Sequence, residues 1–128
     1  MEKYFVVASF VCYDCCEDDV YNSQWKVGIF NTVDECRAAG LKDLTEVARD
    51  HYECVLDGEE FDSEEEYLDA IAENVENYVS EHWETPLESI ETDLKNRDCA
   101  VFLTVDFTDD NFTDQRQVIT YCMYKMED

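Results

Sequence analysis

The chain is short of positive charge. Nine Lys and Arg stand against 33 Asp and Glu in 128 residues, leaving a formal net charge of −24 at pH 7 and a pI near 4.1. Such a chain has no basic patch to lay along a phosphate backbone, and its field repels nucleic acid and anionic membrane surfaces. Direct nucleic-acid binding and membrane binding are therefore not expected, whereas basic proteins are attracted. Glycine and proline are scarce too, with three and one. That leaves little linker material, so residues 1–128 are expected to form a single domain. No apolar run approaches the length of a membrane helix. The chain contains no G-x-S-x-G, no glycine-rich phosphate loop and no zincin motif. Its two histidines, His51 and His82, fall at or beside apolar stripes, which suits packing better than general-base work. No catalytic residue is assigned, and an enzyme is not expected.

Cysteine is plentiful by contrast. Seven cysteines, an odd number without a secreted disulfide spacing, fit a reducing cytoplasm. The apolar stretch from Tyr4 to Tyr13 has the hydrophobicity of a signal peptide. Glu2 in the leader, a single base at Lys3 and the lack of a small-x-small cleavage site argue for a strand instead. Cys12, Cys15 and Cys16 make a C-x-x-C-C cluster. A structural zinc site needs four ligands, commonly two such pairs, and no second pair exists. A redox role lacks the βαβ context that a thioredoxin-type motif requires. Cys12, Cys36 and Cys122 read as small buried hydrophobes. The oxygen-rich loop 106–114 fails as an EF-hand, because Asn111 falls where Gly is required and Gln117 where Glu is required. No metal and no cofactor are expected.

Hydrophobic residues make up 45% of the chain and aromatic residues 13%, so the acid count does not imply disorder. Residues 3–13 are β-branched and aromatic without a breaker, as in a central strand. Residues 24–30 make a second strand, with Trp25, Val27 and Ile29 sharing a face and Gly28 marking a bulge or a close approach. Thr32 and Glu35 form a capping box for a helix to about residue 56, within which Gly40 is a candidate kink. A second helix spans about 63–83, opened by the box Ser63–Glu66. A third runs from Thr85 as N-cap to about Asn96, with Leu87, Ile90 and Leu94 inward. Strands follow at 99–107, with Val101, Leu103, Val105 and Phe107 on one face, and at 116–125. The expected fold is α+β: two terminal β-hairpins pair into a four-stranded antiparallel sheet, β-β-α-α-α-β-β, with helices packed on one face.

The acids concentrate in the middle. Between Asp57 and Asp93 lie fifteen acids and no Lys or Arg. Along the second helix Tyr67, Leu68, Ile71, Val75, Tyr78, Val79 and His82 make a stripe at helical spacing, while Glu66, Asp69, Glu73 and Glu76 step by three, four and three on the opposite side. Glu65 flanks this row, and Glu84 is expected to continue it. Like charges at i,i+4 destabilise a helix by a few tenths of a kcal/mol per pair, and an ordinary surface helix would intersperse Lys or Arg.

In size, charge and this carboxylate rail the chain resembles the acidic DNA-mimic inhibitors that phages and mobile elements carry against restriction or CRISPR systems. The resemblance implies an inhibitor that presents carboxylates in place of phosphates to a basic, nucleic-acid-binding protein. Duplex DNA carries a charge every 1.7 Å or so of axis, against one about every 5 Å along this rail. Glu88 and Glu91 on the third helix would have to add a second line. The expected contact residues are therefore Glu65, Glu66, Asp69, Glu73, Glu76, Glu84, Glu88 and Glu91. Two alternatives stand beside this reading: a non-mimetic acidic adaptor or chaperone for one basic protein, and a metal protein whose site the sequence hides.

Overall fold

The computed structural model describes residues 3–14, 19–80, 83–106 and 115–126. In chain order these hold β1 (Lys3–Asp14), β2 (Asp19–Phe30), α1 (Val33–Leu56), α2 (Glu64–Ser80), β3 (Trp83–Glu84), α3 (Leu87–Arg97), β4 (Cys99–Asp106) and β5 (Gln115–Met126). The apolar run of β1 needs neighbours on both edges, and it has them: β2 on one side and β5 on the other, both antiparallel. The sheet order is β2-β1-β5-β4-β3. The four long strands are thus the two terminal hairpins, joined through the first and last strands of the chain, as the α+β reading expects. The two-residue β3 extends the outer edge of β4. Residues 19–23, expected as part of a connection, belong to β2.

The elements cluster into two compact units. One holds the sheet, α3 and α1 as far as Gly40; the other runs from Leu41 to His82 and holds the rest of α1 with α2. In the first unit one sheet face is buried, through Val6 and Ala8 of β1, Ile119, Tyr121 and Met123 of β5, and Phe102, Leu103 and Val105 of β4. Cys36 of α1 with Ile90 and Leu94 of α3 complete this core. Gly40 does not split α1, which is helical through it. It is there because the Phe102 ring lies against the helix backbone: a Cβ at Gly40 would sit 2.5 Å from Cε2 and 2.9 Å from Cζ of that ring. Leu87, expected inward, is 41% exposed at the first position of α3. Thr85 is not the cap of α3. Pro86 occupies the N-cap, and its carbonyl accepts from the Ser89 and Ile90 amides. At the other end Asp98 adopts the left-handed region (φ 61) and its N–H bonds the Leu94 carbonyl, with Lys95 and Arg97 suited to the negative end of the helix dipole.

Two bulges overturn the simple alternation of the strands. The register between β1 and β2 shifts between Val6 and Val7, which pair with Gly28 and Lys26, so Val27 is the extra residue. Trp25 therefore lies on the inner face opposite Ala8, while Ile29 lies on the outer face opposite Phe5. Gly28 answers both expectations, since it adjoins the bulge and a Cβ there would meet the Phe30 ring at 2.8 Å. In β4 the shift falls between Val101 and Leu103. Phe102 and Leu103 are both buried, and Val101, expected inward, is 40% exposed on the outer face opposite Cys122. A bulge moves every residue beyond it to the other face, which period-two reasoning cannot anticipate. Phe107 lies outside the described residues.

Cys36 is the one expected core thiol that is fully buried; Cys12 and Cys122 are half-buried. Burial, and then the neighbouring Glu35 carboxylate, push the Cys36 thiol up to about 11. In the unfolded chain the thiol returns to its ordinary value near 9 and loses its proton first. Stability is therefore expected to fall as pH rises from about 9 to about 11, and Cys36→Ser should flatten that slope in pH-dependent denaturant melts. Alkylation of Cys36 should require unfolding, with Cys12, Cys99 and Cys122 labelling earlier. Cys15 and Cys16 lie outside the described residues.

Candidate protein-binding surface

The second unit is a helical hairpin. α1 ends at Leu56, and Gly58 takes the left-handed conformation (φ +93) that Asp57-Gly58 predicts for a turn. The Ser63 hydroxyl then accepts from the Glu66 amide at 3.2 Å, while the Glu66 carboxylate accepts from the Asp62 amide at 3.1 Å. This is the expected capping box with its return bond one residue before the cap, and Thr32 with Glu35 makes the equivalent pair of bonds, through the Asn31 amide, at the start of α1. Phe61 meets Tyr67 edge-on at 5.3 Å, and the Tyr67 hydroxyl donates to the Glu53 carbonyl, tying the start of α2 to the last turns of α1. Tyr52 meets Tyr78 edge-on at 5.9 Å. Ile71 and Val75 of α2 are buried; His51 is half-buried with its ring 5.3 Å from that of Tyr52, and His82 lies outside the described residues. Ser63→Ala should destabilise the hairpin by about 1 kcal/mol, read as early loss of amide protection along α2 in hydrogen exchange.

Every carboxylate of the expected rail on α2 is exposed: Glu65, Glu66, Asp69, Glu73 and Glu76. They are not equivalent. Glu64, Glu65 and Glu66 occupy the first turn, where negative charge is favoured by the helix dipole, and Glu66 also closes the capping box. Their presence is explained by the helix itself. Asp69, Glu73 and Glu76 sit beyond the first turn, and no base occupies the last turn. Among the described residues no hydrogen bond or ion pair holds any of the three. Residues 41–82 carry fifteen acids against two bases, Lys42 and Arg49, a net −13. Among the described residues nothing compensates the repulsion along this row.

Two expectations about the surface are corrected. α2 is described as far as Ser80, Trp83, expected at its end, lies in β3, and Glu84 does not continue the rail. Glu84 lies in β3, paired with Leu103, and its carboxylate accepts from Arg37 Nη2 at 3.4 Å. The Thr-Pro restart pulls this segment into the sheet edge, where the Thr85 amide bonds the Phe102 carbonyl at 3.0 Å. Glu88 and Glu91 are exposed on α3, as expected. They belong to the unit that holds the sheet, while Asp69, Glu73 and Glu76 belong to the hairpin.

The sequence also missed a groove. Leu68, placed on the inward stripe, is 54% exposed. With Ile71, Ala72, Val75 and Val79 it lines a depression of about 540 Å³ along the hairpin, rimmed by Thr45, Arg49 and Glu53 of α1 and by Glu76 of the rail. The sign was faint: Leu68 lies at the edge of the apolar arc, one turn from Ala72, which is too small to close the gap. Among the described residues no cluster of three or more His, Cys, Asp or Glu is arranged to hold a metal ion, and no helix is long and apolar enough to cross a membrane. No protein-family model matches the chain, and neither a curated protein sequence nor a solved structure shows significant similarity to it.

Proposed function

We propose that the protein is an acidic inhibitor that occupies the nucleic-acid site of a basic DNA- or RNA-binding protein, with Asp69, Glu73 and Glu76 as the centre of its contact surface. The observation that carries this reading is the exposed row of three carboxylates on α2 that serve neither cap nor dipole and, among the described residues, no ion pair, in a unit of net charge −13 over residues 41–82. A row with uncompensated repulsion is relieved when a cationic partner covers it. Glu65 and Glu66 extend the row at its N-terminal end, and Glu88 and Glu91 supply a further exposed carboxylate pair on α3. An anti-restriction or anti-CRISPR role is one setting in which such an inhibitor acts.

A second reading, an adaptor that grips one basic protein without mimicking nucleic acid, is favoured by the groove. Apolar lining beside acidic rims at Glu53 and Glu76 suits an amphipathic basic helix. Immobilised protein, charged with host lysate at low salt and washed in two ways, separates the readings. A mimic releases its partner to duplex DNA or RNA at an ionic strength where salt alone does not elute it. An adaptor releases it to salt equally well with or without nucleic acid.

A further inference from the structure

The outer face of the sheet is unlike the rest of this molecule. Ile29, Phe5 and Tyr124 align in one row across β2, β1 and β5, and Val7, Cys122 and Val101 align in the next across β1, β5 and β4. Ile29, Val101 and Tyr124 are 40–45% exposed, and the two bulges are what turn Ile29 and Val101 outward. Across the described outer positions of the four long strands the charged residues are Lys3, Lys26, Arg116 and Asp106, a single acid in a chain with 33. Lys26 Nζ stands 5.4 Å from the centre of the Phe5 ring. A contiguous apolar face on a sheet, nearly free of the charge that covers the rest of the chain, marks an interaction surface.

We infer that this face is a dimerisation surface that packs against the same face of a second copy of this chain. Charge points to a copy. A basic partner is drawn to the acidic helices and not to a face with three bases and one acid, whereas two chains of −24 approach with least repulsion where their acids are fewest. Two pleated faces of this kind pack with interdigitating side chains at about 10 Å, their strands within about 30°. A two-fold axis along the strands lays β2 of one copy over β4 of the other, which brings the Phe5 position of one copy over the Tyr124 position of the other and the Val7 position over that of Cys122. Four strands at about 4.8 Å and some nine residues at about 3.4 Å give roughly 600 Å² per copy. Twice that is about the lower bound for a specific interface, so the dimer is reversible.

The inference does not depend on the inhibitor reading, and salt acts on the two in opposite directions. Screening weakens the binding of a basic partner but strengthens association of two like-charged chains. Sedimentation equilibrium of the whole protein, from micromolar to near-millimolar concentration and in low and high salt, should show a monomer–dimer equilibrium that shifts toward dimer as salt rises. V101E combined with Y124E should weaken it by at least about tenfold, with an unchanged circular dichroism spectrum and a cooperative melt. As a second readout, alkylation of Cys99 and Cys122 on this face should slow as protein concentration rises, whereas Cys12 on the inner face should not respond. Monomer at every concentration and salt, or a dimer that the double substitution leaves intact in a folded protein, would overturn the inference.

Discussion

Converting Asp69, Glu73 and Glu76 together to Lys is expected to weaken binding of a basic partner by about 10- to 100-fold while leaving the fold intact. Exposed ion pairs contribute about 0.2–1 kcal/mol each, and reversal replaces attraction by repulsion at three neighbouring points; at about 0.25–0.5 kcal/mol for each attraction lost and each repulsion gained, the total is roughly 1.5–3 kcal/mol. The three side chains are exposed and make no described bond within the chain, so the core is untouched. The helix should gain a few tenths of a kcal/mol as the Asp69–Glu73 repulsion disappears and a base enters its last turns. Glu66 is left out deliberately, since its carboxylate closes the capping box and its reversal would mix binding with stability. Calorimetric titration measures the loss. A control with Asp34, Asp98 and Asp106 changed to Lys, three exposed acids outside residues 41–82 that alter the net charge by the same amount, should weaken binding by less than about threefold if location rather than net charge governs recognition. Equal losses from both sets would mean that only bulk charge matters.

The largest expected effect on stability lies at the contact between Gly40 and Phe102. Phe102→Ala removes a fully buried ring and should cost about 3–5 kcal/mol. Gly40→Ala is the more discriminating change. In an open helix it would stabilise by about 1 kcal/mol, yet here the new methyl would lie 2.5 Å from a ring atom with nowhere to move. Overpacking of this kind costs about 1–3 kcal/mol, so net destabilisation is expected. In the Phe102→Ala background the same substitution should turn neutral or stabilising, because the ring that opposed it is gone. Denaturant melts of the four proteins form a double-mutant cycle, and an additive result would contradict the close approach.

The α+β class, the order of the long elements and both capping boxes were legible in the chain, because they rest on local chemistry: β-branched runs, helical spacing, and Ser or Thr three residues before Glu. What was not legible involves partners distant in sequence. Ile29 and Val101 follow their neighbours' alternation yet lie outward, since bulges at Val27 and Phe102 shift the pairing. Gly40 looked like a helix breaker until its contact with Phe102, sixty-two positions on, gave it a role. Glu84 carried the right spacing for the rail but lies past the end of α2, in a strand beside Leu103. The groove beside Leu68 could not be read either, because helical periodicity says which arc is apolar and not how wide the covering surface is.

Mutual exclusion tests the central claim most directly. The captured partner, saturated with its own duplex or single-stranded nucleic acid, is titrated with this protein while free nucleic acid and complex mass are followed by anisotropy and native mass spectrometry. The protein should displace nucleic acid completely, its apparent Kd should rise in proportion to the nucleic acid present, and no ternary species should form. A ternary complex that persists at saturation, or an affinity indifferent to nucleic acid, would show that the carboxylate row does not occupy a nucleic-acid site.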